Sequence, residues 1–104
     1  MPIHPETIER PVLDISVVIP VYNEEGNIDD LYTELTAALE DIGRTYEVIA
    51  INDGSRDGTY DKLNQIHDKD SRWHIIHFRR NFGQTAAMAA GFDAARGEIV
   101  VTID

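Results

Sequence analysis

Two hydrophobic periodicities alternate along the chain, and they predict strands that alternate with helices. Short runs rich in β-branched residues predict strands at residues 15–20, 47–52, 73–78 and 99–104. The first, second and fourth runs are almost continuously apolar, which is typical of parallel strands that are buried on both faces.

Between these runs, apolar residues recur at the spacing of amphipathic helices. The first helix is predicted to begin after Asn27 and to end at Gly43, and the third to run from Gln84 to Ala95. The second is predicted to begin after Asp57, which would cap it. The positions that we expect these helices to bury are Ile28, Leu31, Tyr32, Leu35, Leu39, Ile42, Tyr60, Leu63, Ile66, Met88, Phe92 and Ala95.

The spacing of the elements predicts an α/β fold. Each interval between strands holds one helix and is long enough for a right-handed crossover. We therefore expect a Rossmann-like βαβαβαβ half-domain over residues 15–104, with a parallel sheet flanked by helices, after an irregular leader at residues 1–14. Ligands of such sheets bind at the carboxyl ends of the strands. The positions to inspect are therefore those that follow Pro20, Asn52, Phe78 and Asp104.

The composition excludes several classes of function. The chain has 104 residues and a net charge of −10, from 19 acidic and 9 basic residues, which disfavours nucleic acid as a partner. An anionic ligand would need a metal cation or a few well-placed arginines to offset this charge. The absence of cysteine excludes a disulfide framework and a thiolate zinc site. No apolar run is long enough to span a bilayer, and the polar N-terminus is not a secretory signal. With the absence of cysteine, this leads us to expect a cytoplasmic protein.

The segment after the first strand is not a glycine-rich phosphate loop. Neither G-x-G-x-x-G nor G-x-x-x-x-G-K-[ST] occurs, which disfavours nicotinamide-dependent oxidoreductases and P-loop nucleotidases. Tyr22 and Glu24 instead offer an aromatic ring and a carboxylate to a base and a ribose. The alternative is an ordinary turn before a helix, which these residues alone favour.

Charged residues follow the second and third strands. Asp53 is available to accept hydrogen bonds from a nucleobase edge or a ribose hydroxyl, because Asp57 already suffices as a helix cap. Arg79 and Arg80 could hold phosphate oxygens together with the helix N-terminus near Gln84. The two arginines could equally be a surface pair that balances nearby acids.

The last strand ends on Asp104. A carboxylate in this position is typical of a ligand for Mg²⁺ or Mn²⁺, although one residue is weak support. His74 and His77 fall on opposite faces of the third strand and lack metal-ligand spacing, so both are interpreted as structural.

Taken in order, these segments resemble the family 2 glycosyltransferases of the GT-A type. The resemblance covers residues 14–104, and the R-N-F-G segment is most similar to the branch that transfers a sugar to polyprenyl phosphate. That branch includes relatives of dolichol-phosphate mannosyltransferase and bactoprenol glucosyltransferase. The matching segments are V-I-P-V-Y-N-E at 18–24, I-N-D-G-S-R-D-G-T at 51–59, R-N-F-G-Q at 80–84, A-G-F at 90–92, G-E at 97–98 and I-D at 103–104.

The resemblance implies a site for a UDP- or GDP-sugar and a polyprenyl phosphate or another glycan or lipid as the acceptor. It identifies Asp104 as the first carboxylate of a D-x-D motif that holds Mg²⁺ or Mn²⁺ against the diphosphate. The family often has paired aspartates where this chain has Asn52 and Asp53. The implied contacts to the nucleotide-sugar are Pro20, Tyr22, Glu24, Asn52, Asp53, Arg80 and Gln84.

The resemblance also places the second D-x-D carboxylate, the acceptor half and the general base beyond Asp104. The catalytic residues are therefore unknown, and we expect residues 1–104 alone to bind nucleotide weakly and to transfer no sugar. The full-length parent would act at the cytoplasmic face of a membrane. An exposed sheet edge would favour self-association. The alternative is a non-catalytic nucleotide-binding or interaction module with the same fold.

Overall fold

Strands and helices alternate along residues 13–104, the part of the chain that this computed structural model describes. The βαβαβαβ order confirms the fold predicted from the hydrophobic pattern. The elements are β1 (Leu13–Val21), α1 (Ile28–Ile42), β2 (Tyr46–Asn52), α2 (Thr59–Lys69), β3 (Trp73–His77), α3 (Gln84–Ala94) and β4 (Gly97–Thr102).

The four strands form one parallel sheet in the order β3-β2-β1-β4. The register places Val17 of β1 between Val48 of β2 and Val101 of β4. The chain moves outward from β1 to β3 and then returns to the other side of β1. The carboxyl ends of β1 and β4 therefore form the switch point at which open α/β sheets bind ligands.

The two faces of the sheet carry separate hydrophobic clusters. Alternate residues of β1, such as Val17 and Ile19, pack with α1 and α2, whereas Val18 packs on the other face with Ala87 of α3. Gly91 lets α3 lie close to the sheet. A Cβ at Gly91 would overlap the Val18 side chain and lie 2.9 Å from Cδ1 of Ile51.

The first strand begins two residues before its predicted start at Ile15. Leu13 already pairs with Gly97 of β4, and the backbone N–H of Asp14 donates to the Thr45 hydroxyl at 3.0 Å. These contacts extend β1 into the predicted leader. The rest of that leader, residues 1–12, lies outside the described residues.

Three apolar residues that the helical periodicity predicted to be buried are exposed. Ile42 is the last residue of α1 and is 56% exposed. Tyr60 is 51% exposed and stacks on His77 of β3, a strand at the edge of the described sheet. Phe92 is 51% exposed because α3 turns its small residues, Ala87 and Gly91, toward the strands.

The prediction that the fourth strand is buried is also wrong. Ile99, Val100 and Val101 are 59%, 41% and 42% exposed. Among the described strands, β4 pairs with β1 alone and lies at the edge of the sheet. An apolar run therefore did not distinguish an edge strand from a central one. Within residues 13–104, no helix is both long and apolar enough to cross a membrane.

Candidate functional site

A cleft of about 380 Å³ opens at the switch point between β1 and β4. Its walls come from the ends of these strands, the turn after β2 and the loop that leads into α3. This volume lies within the range of pockets that hold small-molecule ligands. The lining residues are Pro20, Val21, Tyr22, Glu24, Asp53, Asn81, Gly83, Gln84 and Asp104.

The cleft brings together most of the residues that the sequence singled out. Those that line it are Pro20, Tyr22, Glu24, Asp53, Gln84 and Asp104. Their convergence on one rim of a parallel sheet agrees with the geometry that the strand-end rule requires. Their roles as ligand contacts stay predictions. The structure places the two other candidates, Asn52 and Arg80, outside the lining.

Asn52 is an internal residue of the turn and does not line the cleft. It ends β2 and is only 2% exposed. Its Oδ1 accepts a hydrogen bond from the backbone N–H of Ser55 at 3.1 Å, and its Nδ2 lies 3.0 Å from Nδ1 of His77. The oxygen and the nitrogen of the amide therefore each bond within the protein.

The side chain of Arg80 lies on an aromatic ring outside the cleft. Its guanidinium carbon is 4.7 Å from the centre of the Phe82 ring, a cation–π contact. The Arg80 backbone packs on Gly54, where φ is +72° and a Cβ would overlap the backbone of Arg80 and Asn81. Gly54 therefore allows the loop after β3 to lie against the turn after β2.

Asp53 holds one wall of the cleft in place. Its side chain is buried, with 4% of the residue exposed. Its Oδ1 accepts a hydrogen bond from the Phe82 N–H at 2.7 Å, and its Oδ2 accepts from the Gly83 N–H at 3.0 Å and from Asn81 Nδ2 at 3.2 Å. Because Gly83 is the N-cap of α3, this carboxylate also lies at the positive end of the helix dipole. The sequence predicted a ligand contact here and missed this internal role.

The loop after β1 is fastened to the turn after β2. Asn23 has a left-handed φ of 51°; its N–H donates to the Ser55 hydroxyl at 2.9 Å, and its Oδ1 accepts from the Arg56 N–H at 2.8 Å. These bonds fix the backbone between Tyr22 and Glu24, the two side chains that this loop offers to the cleft. Local sequence gave no signal for these partners.

Asp57 and Thr59 add further hydrogen bonds between the loop after β1 and the turn after β2. The Glu24 N–H donates to the Thr59 hydroxyl at 2.9 Å, and that hydroxyl donates to Oδ1 of Asp57 at 2.6 Å. This bond lowers the pKa of Asp57. The Thr59 N–H also donates to Asp57, which supports the predicted capping role although Gly58 occupies the N-cap position. Asn27 occupies the N-cap position of α1 as predicted, but its side chain makes no capping hydrogen bond and donates to Oε2 of Glu24.

The negative charge of the cleft lining favours a cation that bridges the protein and an anionic ligand. Glu24, Asp53 and Asp104 line it, and its lining contains no lysine or arginine. Carboxylate oxygens are the ligands that Mg²⁺ and Mn²⁺ prefer, so the donor chemistry fits such an ion. No group of three metal-binding side chains is assembled within residues 13–104. Asp104 is exposed, and its Oδ2 lies 3.4 Å from Nε2 of Gln84.

The fold and the cleft define a class of protein. It is a Rossmann-like, GT-A-type domain with a cleft at the switch point of its parallel sheet. The family model of Glycosyl transferase family 2 matches residues 16–104, and the chain belongs to this family.

Curated relatives share about two fifths of their aligned residues with this chain. An uncharacterized glycosyltransferase of Synechocystis is 40% identical over 92 residues, which are 88% of this chain and 29% of that protein. The undecaprenyl-phosphate 4-deoxy-4-formamido-L-arabinose transferase of Aeromonas hydrophila is 43% identical over 91 residues, which are 86% of this chain and 28% of that enzyme. The chain thus spans less than a third of the length of these relatives.

Solved glycosyltransferase structures share the fold. A chain of S. aureus TarS residues 1–349 in complex with UDP superposes with a TM-score of 0.73 at 25% identity, covering 88% of this chain and 27% of that chain. The mannosyltransferase PcManGT of Pyrobaculum calidifontis superposes with a TM-score of 0.71 at 20% identity, covering 91% and 30%. The second similarity shows the fold alone.

Proposed function

We propose that this chain is the nucleotide-sugar-binding part of a glycosyltransferase that moves a sugar from a UDP- or GDP-sugar to a polyprenyl phosphate or to another lipid or glycan acceptor. The observation that carries the proposal is the convergence of Tyr22, Asp53 and Asp104 on one cleft at the switch point. The names of the undecaprenyl-phosphate sugar transferases and the UDP complex of TarS support it.

Each side of the cleft suits a different part of the nucleotide. Tyr22 is 44% exposed, and its ring offers a stacking surface for a base. The Glu24 carboxylate offers acceptors to ribose hydroxyls or to the base edge, and Asp53, which also holds residues 81–83, lines the same cleft. The N-terminus of α3, at Gln84, presents backbone N–H groups to the diphosphate.

Asp104 would hold Mg²⁺ or Mn²⁺ beside the diphosphate. The ion, when bound, neutralises the charge of the departing nucleoside diphosphate. Because the described lining contributes three carboxylates and no basic side chain, the protein alone repels an anionic ligand. We therefore expect nucleotide binding to depend on the metal.

Calorimetric titration tests this dependence. We expect Mn²⁺ to raise the affinity for UDP or GDP by about tenfold or more, which is about 1.4 kcal/mol. Asp104→Asn should abolish this gain. Asp93→Asn removes the same charge from an exposed residue of α3 that does not line the cleft, and it should retain the gain. Equal affinity with and without metal in the unmodified chain would contradict the proposed metal role.

The comparisons also support a location for the whole protein. Several relatives are named for an undecaprenyl-phosphate acceptor, which is a lipid. We propose that the longer enzyme works at the cytoplasmic face of a membrane, with this domain outside the bilayer. A lipid acceptor held at the membrane surface would then meet the nucleotide-sugar at the domain's cleft.

The exposed edge strand supports self-association of the isolated chain. Strand β4 offers an unpaired backbone edge among the described strands and three exposed apolar residues, Ile99, Val100 and Val101. We expect the mass measured by light scattering to rise with protein concentration. Ile99→Lys should restore a monomer, whereas Ile42→Lys, at an equally exposed isoleucine on α1, should not. A monomeric mass of the unmodified chain at every concentration would refute this association.

A further inference from the structure

A partly buried imidazole lies directly behind the turn that carries Asp53. His77 ends β3 and faces Asn52 of β2 in the parallel register. Its Nδ1 lies 3.0 Å from Nδ2 of Asn52, and its Nε2 lies 2.9 Å from Oδ1 of Asn64 on α2. The Tyr60 ring stacks on the imidazole, with 4.0 Å between ring centres.

The hydrogen bonds determine which nitrogen of His77 carries the proton. The Ser55 N–H donates to Oδ1 of Asn52, so the Asn52 amide must turn its NH₂ group toward His77. Nδ1 of His77 therefore accepts, and Nε2 carries the hydrogen and donates to Asn64. A second proton, on Nδ1, would place an N–H of His77 against the NH₂ group of Asn52, and two donors cannot form a hydrogen bond with each other.

The surroundings of the ring favour its neutral form. Burial lowers the pKa of His77 below its ordinary value. Among residues 13–104, the hydrogen-bonding and stacking partners of the ring are Asn52 from β2 and Tyr60 and Asn64 from α2, of which only Tyr60 is titratable. No carboxylate among these contacts compensates an imidazolium.

We infer that His77 is a positioning residue of the nucleotide site. Through its bond to Asn52, His77 holds the turn at residues 52–55 in place. Asp53 of this turn in turn holds the loop at residues 81–83, which forms a wall of the cleft. The inference rests on the proposed function. Charging the ring forces the Asn52 amide to turn, and the Ser55 N–H then loses its acceptor. Because Asp53 lies inside this turn and anchors the wall of the cleft, nucleotide affinity falls as His77 gains a proton.

An NMR pH series without nucleotide tests the relay by itself. The ¹⁵N signals of His77 should show the Nε2–H tautomer near pH 7.5, and its titration midpoint should lie below the ordinary histidine value of about 6.5. The amide signals of Ser55, Phe82 and Gly83 should shift with the same midpoint. An Nδ1–H tautomer, or amide shifts that do not change as the ring titrates, would overturn the inference whether or not nucleotide binds.

Binding of UDP-glucose with Mn²⁺ then tests the functional consequence. A sugar nucleotide has no phosphate that titrates between about pH 7.5 and pH 5, so a loss of affinity on acidification reflects a change in the protein. The affinity of the unmodified chain should fall about tenfold between about pH 7.5 and pH 5, and His77→Gln, which cannot charge, should lose most of this dependence. His74→Gln, on the opposite face of β3, should keep it.

The two assays separate the possible failures. A His77→Gln variant with the pH profile of the unmodified chain would overturn the positioning role. Absence of UDP-glucose binding at every pH would count against the proposed function, and the NMR series would still decide whether the relay exists.

Discussion

The Gly54→Ala variant loses about 2–4 kcal/mol of unfolding free energy, the sum of steric overlap and an unfavourable φ. The added Cβ would overlap the backbone of Arg80 and Asn81 and lie 2.6 Å from the Arg80 Cα. Backbone cannot move aside as a flexible side chain can, so the loop after β3 must shift away from the turn after β2. Urea unfolding measures the loss, and nucleotide titration should show that binding is lost with it.

Gly43→Ala is the matched control. Gly43 has a φ of +76°, close to the +72° of Gly54, but a Cβ there would meet nothing within 4 Å. Its cost should be about 1 kcal/mol, the conformational part alone. Equal losses in the two variants would mean that the close approach of the two loops does not determine the shape of the cleft.

The Asp53→Asn variant loses about 2–3 kcal/mol and releases the loop at residues 81–83. The carboxylate accepts from two backbone N–H groups and from Asn81, whereas an amide has one oxygen and would turn its NH₂ group toward a donor. Urea unfolding measures the free energy, and hydrogen exchange at Phe82 and Gly83 measures the local release.

Asp61→Asn controls for the change in charge. Asp61 lies in the first turn of α2 and is exposed, so its replacement should cost less than about 0.5 kcal/mol. If Asp53 served only to contact a ligand, Asp53→Asn would weaken nucleotide binding and leave the stability and exchange rates unchanged. That outcome would refute its role in holding the wall of the cleft.

The strands and their direction could be predicted because the responsible signal is local. The β-branched runs around Val17 and Ile49 alternate with helical spacing, and a crossover helix between consecutive strands requires them to be parallel. The carboxyl-end rule then placed Tyr22, Asp53, Arg80 and Asp104 on one rim, and all of these except Arg80 line the cleft. Shared position at strand ends was enough to bring these residues to one cleft.

The partners of the site residues could not be predicted, because they are distant in the chain. Asp53 bonds to N–H groups that lie 29 and 30 residues away, and Asn52 meets His77 across 25 residues. Which donor reaches which acceptor depends on how two loops pack. Arg80 shows the same limit, since its charge suggested phosphate and its side chain lies on Phe82.

The wrong predictions of burial have a related cause. The periodicity of large residues on α3 pointed to Phe92, but the contact with the sheet is made by Ala87 and Gly91, whose small size permits close approach. On β4, the apolar run around Val100 predicted burial on both faces. Burial of a strand depends on what packs beside it, and its own residues do not specify that.

We propose that the switch-point cleft binds a nucleotide through a metal held by Asp104. Its most direct test is the NMR spectrum of the ¹⁵N-labelled chain with UDP-glucose and Mn²⁺, compared with Mg²⁺. We predict paramagnetic broadening that requires the nucleotide and is strongest at Gln84 and Asp104, with shifts at Tyr22 and Gly83 in the Mg²⁺ sample. Broadening centred on the opposite end of the sheet, or unchanged by the nucleotide, would contradict the account.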